Sequence, residues 1–230
     1  MVLGFNSLLL SSFKAMDFLP KEIEDYALAN SAEEPSILTK LSRETNANVL
    51  MPRMLSGHLQ GRILSMISHM IKPSRVLELG TYTGYSAICL AEGLAEGGIL
   101  HTIDINEEIG SMVKRYFEES GYNDRIRFHL GDAATIIPGL NEKLDLVFID
   151  ADKENYCRYF DLVFPFVREG GWIIADNVLW SGKVLENIKR QDKETLALKE
   201  YSSKIRSDKR VECVLLPVRD GLMICRKLKG

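Results

Sequence analysis

The sequence predicts an α/β protein: a doubly wound sheet of seven strands, five parallel and the last two an antiparallel hairpin, flanked by helices. Three observations point there. From residue 75 onward, short β-branched runs alternate with segments of helical length. The first five runs are separated by such segments, which makes them parallel strands joined by right-handed crossovers. The last two, Val211–Pro217 and Leu222–Arg226, are separated only by Val218-Arg219-Asp220-Gly221, whose Asp-Gly marks a tight turn.

Taken in order, the apolar opening Gly4-Phe5-Asn6-Ser7-Leu8-Leu9-Leu10 is too short to span a bilayer and has no Lys or Arg ahead of it. It reads as a terminal helix or arm, within an extension 1–15 that precedes Met16. Residues 17–74 read as a helical cap, opened by Pro20-Lys21-Glu22-Ile23-Glu24 and containing the longer amphipathic stretch Leu55–Ile71. The α/β core occupies 75–230, and the whole chain, 1–230, reads as a single domain. Its strands are expected at Arg75–Leu79, Leu100–Ile105, Ile126–Leu130, Leu144–Ile149, Gly171–Ala175 and the two of the hairpin. Helices are expected at Tyr85–Glu96, Glu107–Ser120 and Asn155–Arg168.

Composition narrows the function. Lys plus Arg number 29 against 32 Asp plus Glu, a formal charge of −3, so no positive surplus drives binding to nucleic acid or to an anionic membrane. Cys89, Cys157, Cys213 and Cys225 are far apart and sit among apolar residues, the pattern of buried free thiols in a reducing cytoplasm. His58, His69, His101 and His129 have no metal-ligand spacing and read as ordinary surface or core side chains.

Val76-Leu77-Glu78-Leu79-Gly80-Thr81-Tyr82-Thr83-Gly84-Tyr85-Ser86 is a buried strand running into a glycine turn and a helix. Tyr82 fills the place where a diphosphate cradle needs a small residue. Glu78 repels phosphate but suits the ammonium of an amino-acid-bearing nucleoside such as S-adenosylmethionine (SAM). Asp104 ends the second strand, where a carboxylate can accept both hydroxyls of a ribose, a feature shared with nicotinamide enzymes. Gly131-Asp132-Ala133-Ala134 offers small residues for an adenine slot, a common loop composition. The bland reading is that Gly80 and Gly84 only permit a sharp turn.

A second cluster follows. The strand Leu144–Ile149 delivers Asp150, Asp152 and Lys153 at its carboxyl end, and Gly171–Ala175 delivers Asp176 and Asn177 at the same end. Neighbouring strands lie about 4.8 Å apart, so these oxygens converge in the crevice where α/β sheets place ligands. Two carboxylates and an amide oxygen form a hard set suited to Mg²⁺, with Mn²⁺ or Ca²⁺ also accommodated. The alternative is a plain Asp-Asn turn beside a solvated helix start, with Lys153 a surface ammonium paired to Asp152 or Glu154.

Glu78-Leu79-Gly80-Thr81-Tyr82-Thr83-Gly84-Tyr85-Ser86, Phe148-Ile149-Asp150-Ala151-Asp152-Lys153 and Asp176-Asn177-Val178-Leu179-Trp180, in this order, resemble the cation-dependent O-methyltransferases. That family comprises the caffeoyl-CoA O-methyltransferases, their bacterial relatives and, more distantly, catechol O-methyltransferase. The resemblance runs from about residue 50 to the C-terminus and implies the Rossmann-like, seven-stranded SAM-dependent methyltransferase sheet. It implies that Asp150, Asp176 and Asn177 hold the metal, with Lys153 as general base. It further implies that Ser56, Glu78, Gly80, Thr81, Ser86, Asp104, Ala133 and Asp152 contact SAM, and that the enzyme is a homodimer. Ser181 stands where the plant enzymes carry Asn. No counterpart is evident for the C-terminal carboxylate that catechol O-methyltransferase offers its acceptor.

The chemistry expected is transfer of a methyl group to a catechol-type or caffeoyl-type phenol, a small molecule. A metal chelated by adjacent hydroxyls makes the phenolate accessible, and Lys153 takes the proton. Trp180 reads either as a wall for a flat acceptor or as a core residue. The competing functions are a nicotinamide-dependent oxidoreductase and a non-catalytic nucleoside-binding protein.

Overall fold

The computed structural model describes residues 20–186 and 192–230; the apolar stretch expected as a terminal arm lies outside them. Three helices come first: α1 (Lys21–Ala29), α2 (Ser36–Asn48) and α3 (Gly57–Ile71). The alternation then runs β1 (Arg75–Leu79), α4 (Tyr85–Glu92), β2 (Ile99–Asp104), α5 (Gly110–Glu119), β3 (Ile126–Leu130), α6 (Ala133–Leu140), β4 (Leu144–Ile149), α7 (Tyr156–Val163) and β5 (Val167–Ala175). It closes with α8 (Lys193–Ser207), β6 (Val211–Leu216) and β7 (Leu222–Lys227).

The strands form one sheet in the order β3-β2-β1-β4-β5-β7-β6. The first five are parallel, and β7 inserts antiparallel between β5 and β6. The chain runs outward from β1 through β2 to β3, then returns to β4 on the other side of β1. The carboxyl ends of β1 and β4 therefore flank the switch point, where this class of sheet opens a crevice.

Strand residues alternate between two buried layers, because successive side chains point to opposite faces. Leu77, Leu79, Val147, Ile149 and Ile173 pack with Tyr156, Phe160, Tyr201 and Ile205 of α7 and α8. Val76, Leu100, Leu146, Phe148 and Ile174 pack with Leu64, Ile88 and Val113 of α3, α4 and α5. Burial on both faces explains why these strands read as nearly continuous apolar runs.

The cap is tied to the core by polar contacts. Arg62 of α3 clamps Glu92 of α4 with bonds of 2.9 and 2.8 Å. Tyr85 donates to Glu34 at 2.5 Å, and Tyr116 donates to Glu44 at 2.7 Å.

Several expected boundaries shift: α5 begins at Gly110 instead of Glu107, and three elements change for reasons the contacts show. Helix α4 ends at Glu92, not Glu96, because Gly93 lies against α3: a Cβ there would sit 2.2 Å from the His69 amide nitrogen. The helix expected over Asn155–Arg168 is a short 3₁₀ turn, Lys153–Asn155, followed by α7, which ends at Val163. Val167 is buried and pairs with Leu144, so β5 begins four residues before Gly171, with a register shift between Leu144 and Leu146. Two helices go beyond those the sequence placed, each opened by an aspartate cap: Asp132 accepts from the Ala134 amide before α6, and Asp192 from the Thr195 amide before α8.

All four cysteines are free thiols, but only Cys89 and Cys225 are buried; Cys157 and Cys213 are half-buried. His101 and His129 contact each other across β2 and β3 at 2.9 Å, while His58 and His69 lie 2.8 Å from the carbonyls of Ala32 and Ser65.

Candidate active site

The glycine turn is shaped by contact rather than by phosphate. Gly80 has φ +97°, and a Cβ there would fall 2.0 Å from the Asp150 carbonyl oxygen, so only glycine lets β1 pass β4 this closely. Tyr82 also adopts a left-handed conformation, φ +46°, and its amide donates to Asp104 Oδ2 at 2.7 Å. That charge-assisted bond holds the strained turn.

Ser56, Gly80, Thr81 and Ser86 line one crevice together with Met54, Leu55, Tyr82, Tyr85 and Asp150. Glu78 lies behind it, fully buried. Its Oε2 accepts from Thr102 at 2.5 Å, while Oε1 has no hydrogen-bond partner. Burial pushes this carboxyl up to about 8. Asp104 stands beside the crevice with its second oxygen on the Asn106 amide at 2.9 Å. Ala133 is the first residue of α6, directly after the Asp132 cap.

The acidic residues stand as the topology requires. The Asp150 amide donates to Leu79 O at 2.8 Å and the Asp176 amide to Ile149 O at 3.0 Å, so the two residues extend neighbouring strands past their carboxyl ends. Asp176 is 3% exposed, and burial, reinforced by the charge of Asp150, raises its carboxyl above the ordinary range. Asn177 follows with φ +58°, and its amide donates to Asp176 Oδ1 at 2.7 Å.

Lys153 is not a surface ammonium. It is 7% exposed, and Nζ donates to Asp150 Oδ1 at 2.9 Å and to Tyr156 Oη at 2.7 Å. The Tyr156 hydroxyl in turn donates to the Asp176 carbonyl at 3.0 Å. Asp152 is exposed and accepts from Tyr159 and Asn155, both at 2.5 Å, rather than from Lys153. Trp180 packs against the core edge, as its core reading expects, and its ring centroid lies 5.9 Å from Lys153 Nζ.

Four contributors were not singled out from the sequence: Gln60, Thr102, Tyr156 and Asp220. Gln60 Nε2 donates to Asp176 Oδ2 at 2.5 Å. Asp220, in the β6–β7 turn, accepts from the Ser181 amide through its side chain and from the Leu179 amide through its carbonyl, the latter at 2.9 Å. The hairpin thus braces the segment after Asn177, where Trp180 and Ser181 also have positive φ. A signal existed for two of these residues. Gln60 falls four residues after Ser56 and Tyr156 three after Lys153, spacings that share a helix face.

The crevice at the glycine turn, with a buried lysine and two acids beside it, belongs to a chain with known relatives. The profile of the O-methyltransferase family matches residues 28–228. The chain belongs to the O-methyltransferase family. The match begins before residue 50, so it includes α2 as well as the motifs. Two caffeoyl-CoA O-methyltransferases of Zea mays are similar to this O-methyltransferase, at 32% identity over 224 residues and 33% over 221. Each match spans 90% of this chain, and 83% and 85% of the relatives. Among solved structures, the Bacillus cereus O-methyltransferase in complex with SAH has a TM-score of 0.82 at 27% identity, over 90% of this chain and 97% of that one. The SAH-bound methyltransferase PaMTH1 of Podospora anserina has a TM-score of 0.83 at 25% identity, over 100% and 99%. Membership makes the chain a methyl-transferring enzyme and decides against the oxidoreductase and the non-catalytic binder.

Proposed function

We propose that this O-methyltransferase moves the methyl group of SAM to one hydroxyl of a catechol-type or caffeoyl-type phenol, with a divalent cation, Mg²⁺ foremost, held by Asp150, Asp176 and Asn177. The observation that carries this reading is Lys153, buried between Tyr156 and Asp150, the latter a residue that lines the crevice. The names of the plant relatives support the acceptor class, and SAH in the Bacillus cereus structure supports the cofactor.

The chain's own chemistry fits each partner. The unpaired Glu78 Oε1 is an acceptor without a donor, as the SAM ammonium requires. Asp104 keeps a free lone pair on each oxygen for ribose hydroxyls, beside the crevice lined by Ser56, Gly80, Thr81 and Ser86; Ala133 and Asp152, the remaining proposed SAM contacts, are not among the residues lining it. Among the described residues no group of three or more His, Cys, Asp and Glu comes together as metal ligands. The set offered is instead two acids and one amide, hard oxygen donors of the kind a divalent cation takes, with Asp176 buried beside Asp150. A divalent cation there supplies Lewis acidity that lowers a phenol's pKa from about 10. Lys153 Nζ takes the phenol proton. The phenolate oxygen then forms a bond to the methyl carbon as the carbon–sulfur bond breaks, its electron pair leaving with SAH. Trp180 flanks Lys153 as a wall for the aromatic ring.

The free thiols fit a cytoplasmic setting, and we take the functional unit to be a single methyltransferase domain, paired as a homodimer. Among the described residues no helix is long and apolar enough to cross a membrane.

Mass spectrometry of products from catechols, caffeate derivatives and plain phenols, with and without EDTA, tests the reading. Methylation of vicinal diols that stops on chelation is expected. Equal turnover of catechol and phenol, or indifference to EDTA, refutes it.

A second test concerns Glu78. Its folded pKa, about 8, lies above the ordinary 4.5, so between those values the native state keeps a proton that the unfolded chain releases. Stability without cofactor is therefore expected to fall as pH rises through that window. Glu78→Gln should flatten this dependence and raise Tm at pH 9 while weakening SAM binding about 10- to 150-fold, the worth of a hydrogen bond to a charged group. Thermal melts at several pH values with calorimetry of SAM check both; unchanged SAM affinity contradicts the assignment.

A further inference from the structure

Gln60 has no part in the chemistry above, yet its side chain is almost completely buried and it reaches across the fold to an acid 116 residues away. Its amide donates to Asp176 Oδ2 at 2.5 Å, while Asp176 Oδ1 accepts from the Asn177 amide at 2.7 Å. Each oxygen of that buried carboxylate is thus aimed by one donor, with the remaining lone pairs left for a ligand. The Asn177 donor is local and comes with the turn. The Gln60 donor comes from the cap. Ser56, four residues earlier at the start of α3, lines the crevice, so one face of one helix touches both the crevice and Asp176.

We propose that Gln60 is a positioning residue that fixes the Asp176 carboxylate for a divalent cation and makes the seating of α3 a condition for tight metal binding. This rests on the metal reading above. Partners that orient a metal ligand typically govern 10- to 100-fold in affinity when lost. An unaimed Asp176 carboxylate would have to be re-ordered each time a cation bound. A packing role alone predicts something else: a side chain of equal volume would restore it.

The test is calorimetric titration of Mn²⁺ into the metal-free full chain and its Gln60→Met and Gln60→Asn variants. Methionine keeps the volume without the donor; asparagine keeps the amide but withdraws it by one methylene. Both are expected to bind Mn²⁺ about 10- to 100-fold more weakly, with SAM affinity within about twofold of the parent and unchanged circular dichroism. Their kcat should return at saturating Mn²⁺, leaving the defect in the metal concentration needed. Parent-like Mn²⁺ affinity in Gln60→Met overturns the proposal, as does joint loss of Mn²⁺ and SAM binding, which marks a merely structural residue. If the parent itself does not bind Mn²⁺, the metal reading fails and takes this proposal with it.

Discussion

Lys153→Met is expected to slow methylation of an unactivated catechol by about 10²–10⁴-fold, the usual contribution of a general base. Methionine keeps an unbranched side chain, one atom shorter than lysine's, that fills most of the same space but cannot accept a proton. The substitution also removes the Asp150 contact at 2.9 Å, so an effect on metal affinity has to be separated from an effect on proton transfer. Acceptor acidity separates them. Nitrocatechol is largely ionised near neutral pH and needs no base, so its turnover should fall far less than that of catechol. Single-turnover rates for the two acceptors at saturating metal provide the comparison. Equal losses with both, or full activity with catechol, remove Lys153 from the proton-transfer role.

Asp176→Asn is expected to cost at least about 10³-fold in rate while leaving SAM affinity nearly intact. The expectation follows from the loss of one of two anionic ligands, since Lewis-acid stabilisation of a developing charge is worth several kcal/mol. Asparagine keeps the shape, though its one carbonyl oxygen can accept from Gln60 or from the Asn177 amide but not from both. The fold should not suffer: the exchange removes a buried negative charge that faces Asp150, so Tm without ligands is expected to hold or rise. This opposition, a more stable protein that has lost its chemistry, distinguishes a functional acid from a structural one. Excess metal should restore part of the rate. A variant that retains activity, or one that unfolds and loses SAM binding as well, contradicts the assignment.

Much of this was written locally in the chain. The strands were legible because runs such as Leu144–Ile149 are buried on both faces and show as unbroken apolar segments. The hairpin was legible because Asp220-Gly221 permits the turn, with Gly221 at φ +87°. The acids stood out for a related reason: a sheet delivers the residue after each strand to one edge, so order along the chain converts into proximity. Helix ends were less legible. Gly93 and Val167 are assigned by what they touch, His69 and Leu144, and neither contact has a local signature.

What the sequence by itself determined is therefore the set of chemical groups and the edge of the sheet that collects them: Glu78, Asp104, Asp150, Asp176, Asn177 and Lys153. Tertiary structure alone decided how those groups are held. It made Lys153 a buried donor between Asp150 and Tyr156 instead of a solvated partner of Asp152. It left Glu78 Oε1 without a partner, and it brought Gln60 from the cap onto Asp176 and Asp220 from the last hairpin onto the segment after Asn177. The physical reason is range. Alternation and turn chemistry act over a few residues and are recorded in neighbours, whereas a hydrogen bond spanning 116 positions exists only once the sheet has been assembled and the cap has closed over its edge.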